Sequence, residues 1–284
     1  MTPDHIAAYL DRLRLDTAPP ATLAGLDRLQ TAHRQAIAFE NLDVRLGRPI
    51  RIDSASVFDK LVTRRRGGYC FEQNRLYSDM LTTLGIPNRP LLARVRLGMP
   101  ADAVPPRTHV LLLVELEGAR WIADAGFGGS NVPPLPLQDG AIAQTDDGAA
   151  HRLRRVGLPG DLSGEWLLER AGPVAATDGR AAPHGDWQPQ YGFDLLTVDQ
   201  VDLEQCNHWT STRPETRFTT LHIVSRPLAG GFASLVERSL SFTRDGTNET
   251  REIASAADYR ALLGGTFGLT ISEKEAASLP LFSA

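Results

Sequence analysis

Apolar residues recur at intervals of three and four through the first 85 residues, the spacing of helices that bury one face. Residues 4–15 place Ile6, Leu10 and Leu13 on one side, and residues 22–37 do the same with Leu23, Leu26, Leu29 and Ala36. Asp53 or Ser54 is positioned to cap a helix carrying Val57, Phe58, Leu61 and Val62. A further helix is predicted over 70–84 from Phe71, Leu76, Tyr77, Met80, Leu81 and Leu84, with Gly85 and Pro87 ending it. From Pro90 the pattern shortens to that of strands, at 91–97, 109–117, 120–125, 153–156, 166–169 and 191–196, with a hairpin connection at Glu117-Gly118-Ala119. Segments 99–107, 139–150 and 174–184 are rich in turn residues and read as loops, the last long and mobile. Beyond residue 207, strands are expected at 217–226 and 233–243, the second followed by an Asp245-Gly246 turn. Short helices are expected at 255–263 and 272–278, the first capped by Ser255 and closed by Gly264-Gly265. Helices, then strands, then a mixture predict an α+β chain in three parts: 1–86, 87–196 and 197–284.

The run Arg66-Gly67-Gly68-Tyr69-Cys70-Phe71-Glu72-Gln73-Asn74 adds chemistry to this outline. Two glycines allow a tight turn and close approach. Cys70 then opens a helix, where free N–H groups and the helix dipole favour a thiolate. His109 begins the most apolar strand, Val110 to Val114. It reads either as a rim histidine bonded to a carbonyl or as a general base. Asp124 follows 15 residues later, and a hairpin turning at Gly118 returns it beside His109. Asp124 reads either as a turn or edge aspartate beside Gly126 or as a buried carboxylate next to Trp121 and Ile122, which needs a partner such as an imidazole N–H. Together Cys70, His109 and Asp124 form a Cys-His-Asp set, in an order shared with papain-like and transglutaminase-like enzymes.

Composition narrows the field without choosing a function. The 284 residues are 42% hydrophobic and 23% charged, with net charge −4, so no global field recruits nucleic acid or an anionic membrane. The basic clusters Arg64-Arg65-Arg66 and 152–155 read as solvated faces, or as help in holding a phosphate-bearing ligand. No segment has the length of an apolar membrane span, and residues 1–13 do not resemble a signal peptide. A cytoplasmic location is expected, with Cys70 and Cys206 both free. Cys206 beside Asn207 and His208 lacks the further ligands of a metal site.

At this point the residues resemble the arylamine N-acetyltransferase family over nearly the whole chain. The run around Cys70 resembles its nucleophile motif, and His33 followed by Ile37-Ala38-Phe39-Glu40-Asn41-Leu42 resembles its N-terminal signature, with Ala38 where the family more often has Pro. His109 and Asp124 match its triad, and Asp124-Ala125-Gly126-Phe127-Gly128 matches the loop that follows. Asn207, Ser211-Thr212, Pro214, Phe218 and 266–269 also fit, with Arg213 where His is common. The resemblance implies a helical bundle, a central antiparallel β-barrel, an α/β lid and a cysteine-protease-like core. It implies transfer of acetyl from acetyl-coenzyme A, a co-substrate rather than a permanently bound cofactor, to arylamines, arylhydrazines or arylhydroxylamines through acetyl-Cys70. A monomer or homodimer is expected. An arylamine is largely neutral at pH 7 and can attack directly, whereas an alkylamine arrives as an ammonium.

Within that reading, Phe39 and Phe127 are candidates for the wall of the amine pocket, with core packing as the alternative. Gly126, Gly128 and Gly129 are candidates for close passage of the pantetheine arm or amine, or form a plain turn. The Cys70 N–H is a candidate oxyanion donor. Glu40 and Arg66 are expected to form a buried pair fixing the loop that presents Cys70, the alternative being two surface charges. Two rival enzymes stand beside this reading: an amide synthase that would use the same triad to close a macrolactam from an acyl thioester on a carrier protein, and a hydrolytic or transglutaminase-like cysteine enzyme acting on glutamine or peptide bonds. A binding module with a vestigial triad is the non-catalytic rival.

Overall fold

Thr22 and Asp53 each start a helix of the N-terminal bundle, their side chains accepting a backbone N–H of the first turn from Gly25 and Ser56; of the two, Asp53 is a cap the sequence predicts. The computed structural model describes residues 1–100, 102–181 and 186–282. Its first region contains α1 (Pro3–Leu13), α2 (Leu23–Ala36), the short strand β1 (Phe39–Glu40), α3 (Leu42–Arg45), α4 (Ser54–Phe58) and α5 (Cys70–Thr83). Helix α4 continues as one wide π-type turn over Asp59–Thr63. Tyr9, Leu26, Leu29, Leu61, Leu76, Tyr77 and Met80 fill the space between these helices.

The second region is an antiparallel sheet of β2 (Asn88–Val95), β3 (Arg107–Leu116), β4 (Ala119–Ala123), β5 (Leu135–Pro136), β6 (Ile142–Gln144), β7 (Ala150–Arg155), β8 (Trp166–Ala171) and β9 (Gln188–Phe193). Its order is β5-β4-β3-β2-β9-β8-β7-β6. The connection from β5 to β6 bonds to strands near both edges, through Leu137 N–H to the Arg120 carbonyl and Gly140 N–H to that of Leu153, so the sheet is a nearly closed barrel. Leu91, Leu111, Ile122, Leu153, Leu168 and Phe193 pack inside. The β3–β4 hairpin turns on Glu117 and Gly118, both with positive φ, the turn type that suits strand twist.

The third region starts with α6 (Gln200–Thr212) and α7 (Arg217–Thr220). The strands β10 (Ile223–Leu228), β11 (Gly231–Val236), β12 (Ser239–Arg244) and β13 (Thr247–Glu252) follow, then α8 (Ala256–Gly265) and α9 (Glu273–Ser278). Strand β1 pairs with β10, Phe39 opposite Ser225, so the bundle contributes an edge to the C-terminal sheet. The α+β class, bundle, barrel and mixed α/β part agree with the sequence. Both cysteines are free. Among the described residues no helix is long and apolar enough to cross a membrane.

Several expected elements differ. The strand expected at 217–226 begins as α7, because Thr216 and Thr219 bond each other at the helix start. The single strand expected at 233–243 is two, broken at Glu237, whose φ of 54° turns the chain back. Segment 139–150 contains β6. Segment 174–184 is anchored over its first half by a 3-10 turn at Val174–Ala176 and a bridge from Ser130 to Thr177, with Thr177 and Asp178 buried. Its last residues, 182–184, lie outside the described residues. Helix α8 runs through Gly264-Gly265 rather than ending before them.

Candidate active site

Helix α5 begins at Cys70 because Glu72 closes its first turn, accepting the Tyr69 N–H at 3.1 Å. The Cys70 Sγ donates weakly to the Thr108 carbonyl at 3.5 Å, which sets it against the start of β3. His109 is the next residue on that strand, and Cys70 and His109 line one cleft of about 450 Å3. The β3–β4 register, Leu112 opposite Ala123, leaves Asp124 one step beyond the last pair and diagonal to His109. Their side chains meet, His109 Nε2 to Asp124 Oδ2 at 2.7 Å, both almost wholly buried.

Burial would raise the Asp124 carboxyl. The His109 interaction, the Arg34 charge and the Asn74 amide outweigh it and hold the group lowered to about 2. Tyr191 Oη donates to Oδ2 at 2.9 Å, Asn74 Nδ2 to Oδ1 at 3.1 Å and the Gly126 N–H to Oδ1 at 2.9 Å. Burial pushes the Cys70 thiol far up and the charge of Asp124 adds to it, against backbone N–H groups of Val110, Phe71 and Cys70 itself. Burial thus opposes ionisation of this thiol more than the helix start favours it.

Each expected pocket residue has a definite place. Phe39 and Phe127 both line the cleft, Phe127 edge-on to His109 with ring centres 5.1 Å apart and Phe39 beside Phe218 at 5.9 Å. The glycines have packing reasons. A Cβ at Gly126 would come 2.8 Å from the Cys70 Cα, one at Gly128 2.7 Å from the Phe39 ring, and one at Gly129 2.8 Å from Leu97 and Phe127. Of the three, Gly128 lines the cleft.

Glu40 and Arg66 meet at 2.9 Å with both side chains buried. They belong to a larger cluster: Arg66 also reaches Asp43 at 3.3 Å, and Lys60 contacts Asp43 and Glu72, each at 2.7 Å. The same Glu72 that caps α5 is thus tied to the ions beneath it. Sequence reading missed Asn74, although it stands one helical turn after Cys70 on the same face. It also missed Tyr191, and Arg34, whose guanidinium donates to the carbonyls of Asp124, Phe127 and Ser130 and holds the loop after β4. His33 is buried between Tyr9 and Gln73, and Gln73 donates to the carbonyls of Ile37, Ala38 and Gly68. On α6, Asn207 accepts the Tyr69 hydroxyl and donates to the Ile50 carbonyl.

A family model described as N-acetyltransferase matches residues 22–276. The arylamine N-acetyltransferase of Escherichia coli (strain K12) is 36% identical over 268 residues, 93% of this chain and 89% of that protein. The Salmonella typhimurium protein named arylamine N-acetyltransferase / N-hydroxyarylamine O-acetyltransferase is 37% identical, covering 94% of this chain and 89% of its own. The solved Salmonella typhimurium arylamine N-acetyltransferase superposes with a TM-score of 0.86 at 36% identity, over 99% of this chain and 100% of that one. The Mycobacterium marinum enzyme solved in complex with CoA gives 0.83 at 33% identity, over 96% and 98%. With its helical bundle, barrel and mixed sheet thus matched end to end, the chain belongs to the arylamine N-acetyltransferase family of acyltransferases.

Proposed function

We propose that this chain transfers acetyl from acetyl-coenzyme A to an arylamine, arylhydrazine or arylhydroxylamine in two half-reactions through Cys70. The observation that carries the reading is the cleft shared by Cys70 and His109, with Asp124 bonded behind the imidazole. The CoA complex of the Mycobacterium marinum relative supports the donor. The Cys70 proton passes to His109, giving a thiolate and an imidazolium that Asp124 stabilises. The thiolate adds to the thioester carbonyl and CoA leaves, taking the proton as its thiol. The amine then adds to acetyl-Cys70, its proton goes to His109, and the amide departs with the thiolate restored. In this proposal the Cys70 N–H holds the developing oxyanion in each half.

Phe39, Phe127 and Phe218 give the cleft an apolar aromatic side, which suits an aromatic acceptor. In this proposal Glu40 and Arg66 act as support, keeping the 66–69 segment in position. Brief mixing with acetyl-coenzyme A followed by peptide mass spectrometry tests the cycle. One acetyl group on Cys70, discharged by an added arylamine, is expected. A folded, reduced protein that acquires no adduct would overturn it.

A further inference from the structure

A second cleft, of about 570 Å3, lies where α1, α2, the turn at residue 65, β10 and the chain after α8 meet, and it shares no lining residue with the Cys70 cleft. Four arginines line it: Arg12, Arg14, Arg65 and Arg226. Arg64 and Arg66 pair with Asp59 and Glu40, but Arg65 between them does not. None of the four makes an ion pair among the described residues.

Arg12 is only 4% exposed; its Nε donates to the Leu61 carbonyl at 3.1 Å, and its Nη2 is buried with no partner. Arg226 donates Nη1 to the Thr266 carbonyl at 3.0 Å and leaves Nε buried and unpartnered. Burial first, then repulsion from Arg65, Arg226 and Arg14, lowers Arg12 to about 10. Uncompensated buried cations are costly, and a ligand's negative charge would remove that cost.

The rim adds two further cations, Arg65 and Arg14, the latter as the left-handed C-cap of α1 with its N–H bonded to the Asp11 and Leu10 carbonyls. Arg14 and Arg65 both adopt left-handed backbone, with φ of 59° and 50°, where glycine is the unstrained choice. Both are exposed. Two exposed arginines lining the same cleft as Arg12 and Arg226 suit an anion with several charges in a short span. Guanidinium forks match phosphate oxygens. Leu13, Ala36 and Leu269 supply an apolar flank for an organic group beside the charges.

We propose that this cleft binds a small ligand carrying two or more linked phosphates, of the nucleoside di- or triphosphate class, at a site separate from acetyl transfer. A phosphate chain would lie among the four arginines, and the organic part against Leu13, Ala36 and Leu269. The net charge of −4 makes the cleft a local exception rather than part of a basic surface.

Isothermal titration calorimetry with inorganic tripolyphosphate and ATP tests this on the full chain. It is run at constant ionic strength on the unaltered protein, Arg65→Gln, Arg14→Gln/Arg65→Gln and, as a charge control, Arg251→Gln. Saturable binding of one tripolyphosphate per chain is expected, with tighter binding of ATP. Each rim arginine removed should weaken binding about tenfold, while Arg251→Gln leaves it unchanged. Circular dichroism and melting curves check that the variants are folded, and the single Arg65→Gln variant carries the test if the double variant is not. Acetylation of Cys70 by acetyl-coenzyme A should be unaltered in Arg65→Gln. Lack of saturable binding, or equal binding by Arg65→Gln and the control, overturns the site. Equal affinity for ATP and tripolyphosphate removes the organic subsite. Loss of Cys70 acetylation in folded Arg65→Gln would assign the cleft to the donor's own diphosphate and overturn the separate site.

Discussion

Tyr191 donates its hydroxyl at 2.9 Å to Oδ2 of Asp124, the same oxygen that meets His109 Nε2 at 2.7 Å. Tyr191 also stacks against His109, ring centres 4.8 Å apart, so it orients the imidazole from the side and through the carboxylate. Tyr191→Phe keeps the ring and removes one charge-assisted hydrogen bond. A loss of about tenfold or more in kcat/KM is expected, because such bonds contribute about 1.5–3 kcal/mol. With one donor fewer, the Asp124 carboxyl should rise from its lowered position. The acid side of the kcat/KM profile should move to higher pH, and a profile that does not shift would mean Tyr191 only fills space.

The Glu40–Arg66 pair can be separated from its surroundings by a double-mutant cycle. Arg66→Met leaves Glu40 buried against its Leu42 N–H bond with its main counter-charge gone. A loss of about 3–5 kcal/mol is expected in urea unfolding, and Glu40→Gln should cost a similar amount. The double variant should cost clearly less than the sum, since neither charge is then stranded. Additive losses would show that the two residues act independently.

Gly126 offers a test of close packing free of backbone strain, because it is not among the residues with positive φ. Gly126→Ala places a methyl 2.8 Å from the Cys70 Cα and 3.0 Å from its carbonyl oxygen. Either α5 or the loop after β4 must shift. Overpacking of this kind costs about 1–3 kcal/mol. The displacement should also lower acetylation of Cys70 by tenfold or more, about the effect of a small misplacement of reacting groups. Wild-type acetylation kinetics in a destabilised Gly126→Ala would separate packing from geometry and count against the second half of this expectation.

Asp124 also predicts an acid limit of stability. Its folded carboxyl lies near 2 against an ordinary value of 3.8, so folding favours the ionised form. The depressed value means that this stabilisation is complete above about pH 4 and is lost as pH falls through about 2. The difference corresponds to about 2 kcal/mol. Urea midpoints measured between pH 7 and 2 should fall more steeply for the unaltered protein than for Asp124→Asn, with the gap between them narrowing toward pH 2. Parallel curves would remove Asp124 from the acid transition.

The placement of Cys70 at a helix start and of His109 beside Asp124 was legible for local reasons: a glycine pair before a helical pattern, an apolar strand, and a hairpin of countable length. Their buried supports were not legible, because Asn74, Arg34, Lys60 and Asp43 are polar residues whose value lies in partners distant along the chain. Helix α6 escaped because it buries little beyond Leu203, Asn207 and Thr210, leaving no apolar stripe to detect. Strand β13 is exposed along its whole length, so it carries no alternation. The break between β11 and β12 lacks a glycine, and Glu237 takes the left-handed turn that an Asn or Gly would have announced.

The Cys70 thiol sits in surroundings that oppose its ionisation. Burial and the charge of Asp124 both hold its proton on, and backbone N–H groups offset them only in part. Such surroundings oppose ionisation near neutrality. If His109 accepts the proton, the pair is neutral overall and the thiolate becomes accessible to an electrophile. Iodoacetamide should therefore alkylate Cys70 readily at pH 7, and His109→Gln should slow the labelling about 100-fold or more. Cys206 is an internal reference: it is half-buried, raised by burial, and not part of this hydrogen-bonded set. Its labelling rate should be the same in both proteins. Peptide mass spectrometry at timed quench points reads both cysteines in one sample. Equal labelling of Cys70 with and without the imidazole would mean that the thiol is ionised by its helix start after all, and that His109 enters only when the amine arrives.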